Sequence, residues 1–146
     1  VLVYVSDVLE HDMEITGPVT FTLFASSIAS DTDFVVKLAD EYPDGTSINL
    51  SEGILRARFR ENVWGDPELM VPGSVYELHI EMAVTANLFK EGHRIKVYIT
   101  SSNFPLWDRN HNTGKDPATD TEFQIAKQTI FHDSLRPSHV LLPVTG

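Results

Sequence analysis

The sequence predicts an all-β fold, a jelly-roll β-sandwich, on three observations. Apolar residues recur at every second position in several segments. Turn-forming pairs and triplets separate those segments. No window of about ten residues or more carries an apolar stripe at helical spacing. Alternation of this kind marks strands with one buried face, and many short strands between turns imply a sandwich or barrel.

Element by element, Leu2–Ser6 is a short apolar run of strand type. Pro18–Ala25 places Val19, Phe21 and Leu23 on one face, with Thr20 and Thr22 on the other. Phe34, Val36 and Leu38 alternate with Val35, Lys37 and Ala39, and Leu55, Ala57 and Phe59 alternate with Arg56, Arg58 and Arg60. Between Val75 and Val84, Tyr76, Leu78, Ile80, Met82 and Val84 point one way, against Glu77, His79 and Glu81. Thr85–Phe89 reads as about one helical turn closed before Gly92. Arg94–Thr100 turns Ile95, Val97 and Ile99 inward, and Ile125–Phe131 and Val140–Leu142 are further strand candidates. Gly17-Pro18, Pro43-Asp44-Gly45, Gly65-Asp66-Pro67, Pro72-Gly73 and Asn112-Thr113-Gly114 supply the turns. About eight strands suit a jelly roll of two sheets. Residues 103–124 are the longest stretch without alternation, and such a loop is usually functional or packed against something.

The 146 residues fit one domain, taken as 1–146. Eleven Lys and Arg against 21 Asp and Glu give a net charge of −10, which argues against nucleic acid and anionic membranes as partners. No apolar run reaches the roughly 18 residues of a membrane span, and no signal peptide is visible. Without cysteine there is no disulfide, thiolate zinc site or thiol nucleophile, and the compartment stays open with a lean to the cytoplasm. The chain begins within a strand-like pattern and lacks an initial Met, so it is expected to be an excerpt from the C-terminal end of a larger protein.

Four groups of residues could carry chemistry. No Gly-x-Ser-x-Gly occurs, so nothing supplies the sharp turn that exposes the nucleophile of a serine hydrolase, and no catalytic residue is assigned. Asp108, Asn110 and Asn112 stand at the first, third and fifth places of a loop that begins as a Ca²⁺ loop does. Its glycine falls one place late and its twelfth residue is Thr119, so backbone capping by these side chains is the plainer reading and no metal is assigned. Arg56, Arg58 and Arg60 form a basic stripe. They suit either a docking or anion-binding face, or the commoner cross-strand pairing with acids such as Glu77 and Glu81. Trp64, Trp107, Phe104, Tyr98 and Tyr42 could stack on a sugar, although aromatics more often cover a core or interface. Asn49-Leu50-Ser51 fits a glycosylation acceptor, a match frequent by chance.

An ordered set of segments carries a resemblance over nearly the whole chain. It comprises Val5-Ser6-Asp7-Val8-Leu9, Ile15-Thr16-Gly17-Pro18-Val19, Asp31-Thr32-Asp33-Phe34 with Val36-Lys37-Leu38, and Tyr42-Pro43-Asp44-Gly45. Gly53-Ile54-Leu55-Arg56-Ala57-Arg58-Phe59-Arg60, Gly92-His93-Arg94-Ile95 and Ser101-Ser102-Asn103-Phe104-Pro105 follow. Asp108-Arg109-Asn110, Asn112-Thr113-Gly114 and Pro137-Ser138-His139-Val140-Leu141-Leu142-Pro143 complete it. In this order they resemble the C-terminal, non-catalytic domain of the X-Pro dipeptidyl-peptidase family, which includes cocaine esterase, α-amino-acid ester hydrolases and cephalosporin acylases.

The resemblance implies a galactose-binding-like jelly roll that follows an α/β-hydrolase domain bearing a Ser-Asp-His triad. The triad lies upstream, so none of it carries over to a residue here, and no cofactor is implied. The partner implied is the α/β-hydrolase domain of the same parent chain, whose substrate cleft this domain would help to shape. The loop from Phe104 to Thr119, with Trp107 and Arg109, and the Arg56, Arg58 and Arg60 face are the expected contact. A carbohydrate-binding module and a Ca²⁺-dependent adhesion module are the competing readings.

Overall fold

Strands that each bury one face must lay those faces on one another, and three antiparallel sheets do so here. The computed structural model describes residues 1–145. Its strands are β1 (Leu2–Val5), β2 (Met13–Gly17), β3 (Thr20–Ser27), β4 (Asp33–Glu41), β5 (Ser47–Arg56) and β6 (Tyr76–Glu81). Then come β7 (Thr85–Phe89), β8 (Arg94–Thr100), β9 (Gln128–Phe131), β10 (His139–Leu141) and β11 (Val144–Thr145). One sheet has the order β1-β8-β4-β5, and another has the order β11-β2-β7. In the third, β3 pairs with β6 along one edge, while β9 and then β10 follow each other along the opposite edge. The molecule is an all-β sandwich.

The core lies between the sheets of β3 and β4. Phe21, Leu23 and Ala25 of β3, Leu78 and Ile80 of β6, and Phe34, Val36 and Leu38 of β4 form one apolar cluster. Ile15 and Phe89 bring the small β2–β7 sheet into it. The expected alternations in β3, β6 and β8 are present, with Val19, Leu78, Ile80, Val97 and Ile99 buried. β4 goes further: its second face is buried too at Val35 and Ala39, as suits a strand bonded on both edges. Between the sheets the backbones of β5 and β6 nearly touch at Gly53, where a Cβ would lie 2.6 Å from the Glu81 carbonyl oxygen.

Three expectations are corrected. Thr85–Phe89 is not a helical turn but β7, paired with β2 from Gly17↔Thr85 to Met13↔Phe89. Five residues are too few to nucleate a helix, and the strand buries Phe89 completely. Val84 does not continue the β6 face; the strand stops at Glu81 and Val84 is exposed. Arg56, Arg58 and Arg60 do not share a strand face, because β5 ends at Arg56 and Ala57–Phe59 winds into a 3-10 turn. Sequence alternation did not reveal β2, the polar first half of β5 or β11 as strands.

Candidate functional site

The long segment between β8 and β9 has no regular structure, and it is held by the arginines. The hairpin β4–β5 sets Asp33 directly opposite Arg56. The guanidinium of Arg56 grips Asp33 with two bonds, Nε–Oδ1 at 2.9 Å and Nη2–Oδ2 at 3.0 Å, and reaches Asp108 in the loop at 3.2 Å. The Asp33 carboxylate, with help from Asp108, holds that guanidinium charged well above its already high ordinary value.

Arg58 is buried, and Asp31 opposite it is fully so. Asp31 accepts from the Arg58 backbone N at 3.0 Å and from its Nε at 2.8 Å. The remaining fork of Arg58 donates to the Lys115 carbonyl in the loop at 3.0 Å. Asn110 lies between the two acids, its Nδ2 donating to Asp31 Oδ2 and Asp33 Oδ1, both at 2.8 Å. Arg60 turns away. It donates to Glu68 Oε1 at 2.9 Å and to the Glu68 carbonyl at 2.5 Å, and its guanidinium lies 4.6 Å from the centre of the Tyr76 ring. Thus the basic stripe pairs internally, but with Asp31, Asp33, Asp108 and Glu68 rather than with Glu77 and Glu81.

The Asx residues of the loop are likewise occupied. Asn110 Oδ1 accepts from the Asn112 backbone N at 2.8 Å, and Asn112, at φ 64°, donates through Nδ2 to the Gln124 carbonyl. Thr113 donates to Asp120, and the Glu122 backbone N donates to the same carboxylate, which is thereby held below its ordinary range. Lys115 pairs with Glu122. Asp108, Asn110 and Asn112 therefore serve the Arg56 pair and the backbone turn. Among the described residues no cluster of three or more His, Asp or Glu is placed to hold a metal.

Fastened this way, the loop presents apolar side chains outward. Phe104 is 67% exposed and Leu106 59%. Trp107 is half-buried beside Ile54, Phe59 and Val63 at a cavity of about 280 Å³. Next to it Val63 is exposed and Trp64 is 94% exposed. Arg109 lies over the Phe123 ring at 5.3 Å, and Phe123 in turn stacks on His111. The structure thus gathers Phe104, Trp107 and Arg109 on one loop and sets Arg56 and Arg58 beneath it as its anchors. Val63 and Leu106 were missed in the sequence, where the only signal was a large apolar residue in a turn-rich segment without period.

Elsewhere, His93 Nδ1 meets Asp40 Oδ1 at 2.9 Å under the Tyr42 ring. Both are buried and tie the start of β8 to the end of β4. Among the described residues no serine hydroxyl is hydrogen-bonded to a histidine.

A family model described as the X-Pro dipeptidyl-peptidase C-terminal non-catalytic domain matches residues 1–141. The chain belongs to that family. As a member of this C-terminal domain family it is 46% identical over 146 residues to cocaine esterase of Rhodococcus sp. (strain MB1 Bresler). That match covers 99% of this chain but 25% of the esterase, so the chain spans about a quarter of that relative. Among solved structures, an aminopeptidase from a marine sediment Thaumarchaeota archaeon superimposes with a TM-score of 0.90 at 31% identity, over 99% of this chain and 26% of that one. An α-amino acid ester hydrolase gives 0.89 at 31% identity, over 99% and 25%.

Proposed function

We propose that this chain is the non-catalytic C-terminal domain of a serine hydrolase that cleaves ester or amide bonds. It packs on the α/β-hydrolase domain of the same polypeptide and helps to shape its substrate cleft. The observation that carries the reading is the 46% identity to an esterase four times as long, sustained across the whole of this chain. In such a parent the reaction passes an acyl group to a serine and then to water, and the serine lies outside these residues. What this domain contributes is rigidity: it positions and walls the cleft and excludes water, and moves no proton.

The apolar side chains of the loop and of Val63 and Trp64 are the best-suited contact with the hydrolase domain. Arg56 and Arg58 hold the loop from behind and need not touch the partner at all. Hydrogen exchange checks this. In the full-length enzyme the amides around 104–108 and 62–65 are expected to exchange about ten-fold or more slowly than in the excised domain. Equal exchange in both would remove this surface as the contact.

A further inference from the structure

On the side of the sandwich formed by β1, β9 and β10, two sheet edges face each other across a cleft. β1 is the outermost strand of its sheet, bonded to β8 alone. All four of its residues are apolar or aromatic, and all are exposed: Leu2 45%, Val3 48%, Tyr4 37% and Val5 44%. It carries neither charge nor proline, the usual devices by which an edge strand turns partners away. Across from it, β9 and β10 form the edge of the facing sheet, with their outer side unbonded.

Between these two edges runs a cleft, mainly apolar along the β10 side. One stretch of about 360 Å³ is walled by Tyr4, Leu23, Val97 and Val140. A second, of the same size, shares Ile99 and Ile130 with the first and extends past Leu2 to the more polar Thr100, Ser101 and Gln128. Three polar side chains at the cleft are engaged: Ser138 Oγ donates to the Phe131 carbonyl at 2.5 Å and accepts from the Phe24 backbone N at 2.8 Å, His139 Nδ1 bonds the Pro137 carbonyl, and Gln128 donates to Thr32 Oγ1 at 2.6 Å. The stretch beside Tyr4, Leu23, Val97 and Val140 therefore suits apolar side chains.

We propose that a further extended strand of the same polypeptide, outside these 146 residues, bonds to the free edge of β1 and seats alternate apolar side chains in this cleft. It rests on the reading that the domain is carried in a longer chain. Strand addition matches both features: the free edge supplies main-chain hydrogen bonds, and the cleft takes every second side chain. The relatives leave ample chain for it, since three-quarters of their length lies outside the matched region. A second copy is the poorer occupant. Two four-residue β1 strands meeting edge to edge fall well short of the roughly 1,600 Å² that a stable interface buries.

The test is hydrogen exchange on the unmodified full-length protein, read amide by amide in β1 at several concentrations. The β1 amides that point away from β8 are expected to exchange about 100-fold or more slowly than those of the exposed turn at Asp44, at every concentration. A Tyr4→Cys variant of the same protein is expected to react with a thiol reagent about ten-fold more slowly than Glu10→Cys. Exchange of those amides at the rate of the turn overturns the proposal, and so does protection that fades on dilution, which would assign the edge to a second copy. A native polypeptide no longer than these residues would remove the hydrolase reading as well; a longer one with an open β1 would remove this inference alone.

Discussion

Arg58 and Asp31 show how one buried ion pair can organise a functional loop. Asp31 is removed from water and has its bonds satisfied by the backbone and side chain of Arg58 and by Asn110. Taking one charge away leaves the other buried and unpaired. Arg58→Ala is therefore expected to cost about 3–5 kcal/mol, read from the denaturant midpoint of this domain. Arg58→Lys should recover only part of it, because an ammonium cannot serve Asp31 and the Lys115 carbonyl together as a guanidinium fork does. A loss under about 1 kcal/mol for the alanine variant would mean that the pair does not anchor the turn. Asp120 acts at the same scale with a pH signature. Hydrogen bonds from Thr113 and the Glu122 backbone hold its folded pKa below the ordinary 3.8. Its contribution is thus complete above that value and lost as pH falls through the lower folded one. An NMR titration of the Asp120 carboxyl should show a midpoint below 3.8, with the 113–122 segment loosening as it protonates. A midpoint at or above 3.8 would contradict the capping role.

Elements meet where backbones approach, and Gly53 marks a close approach between β5 and β6. Gly53→Ala places a methyl group 2.6 Å from a carbonyl oxygen that cannot move without shifting β6. A cost of about 1–3 kcal/mol in the thermal or denaturant transition is expected, and a neutral result would mean that the sheets part there easily. The elements also show what the sequence could and could not reveal. β3, β6 and β8 were legible because each turns one apolar face inward, and period two reports that directly. β7 was misread because a five-residue segment has too little period to separate strand from helix, and its pairing with β2 decides the matter. The first half of β5 was invisible because its residues Ser47–Asn49 lie largely in water and carry no apolar face. The arginine stripe misled for a related reason. Alternation continued in the sequence past Arg56, but Asp31, 27 residues upstream of Arg58, bends the chain out of the sheet. The loop itself was legible as an absence of period, whereas its outward apolar face could be seen only once Arg56, Arg58 and Asn110 had fixed its back.

At the scale of the whole molecule, the sandwich carries an apolar loop face and an apolar exposed edge strand, β1. Neither is easily explained on a surface that meets only water. Both are explained if the domain is one part of a longer hydrolase, with its reactive serine in another part. The most direct measurement is to treat the full-length protein with a serine-directed fluorophosphonate and map the modified residue by peptide mass spectrometry. The expected result is a single labelled serine outside these 146 residues, with loss of esterase or amidase turnover. Label on any serine between Val1 and Gly146, accompanied by loss of turnover, would contradict the account.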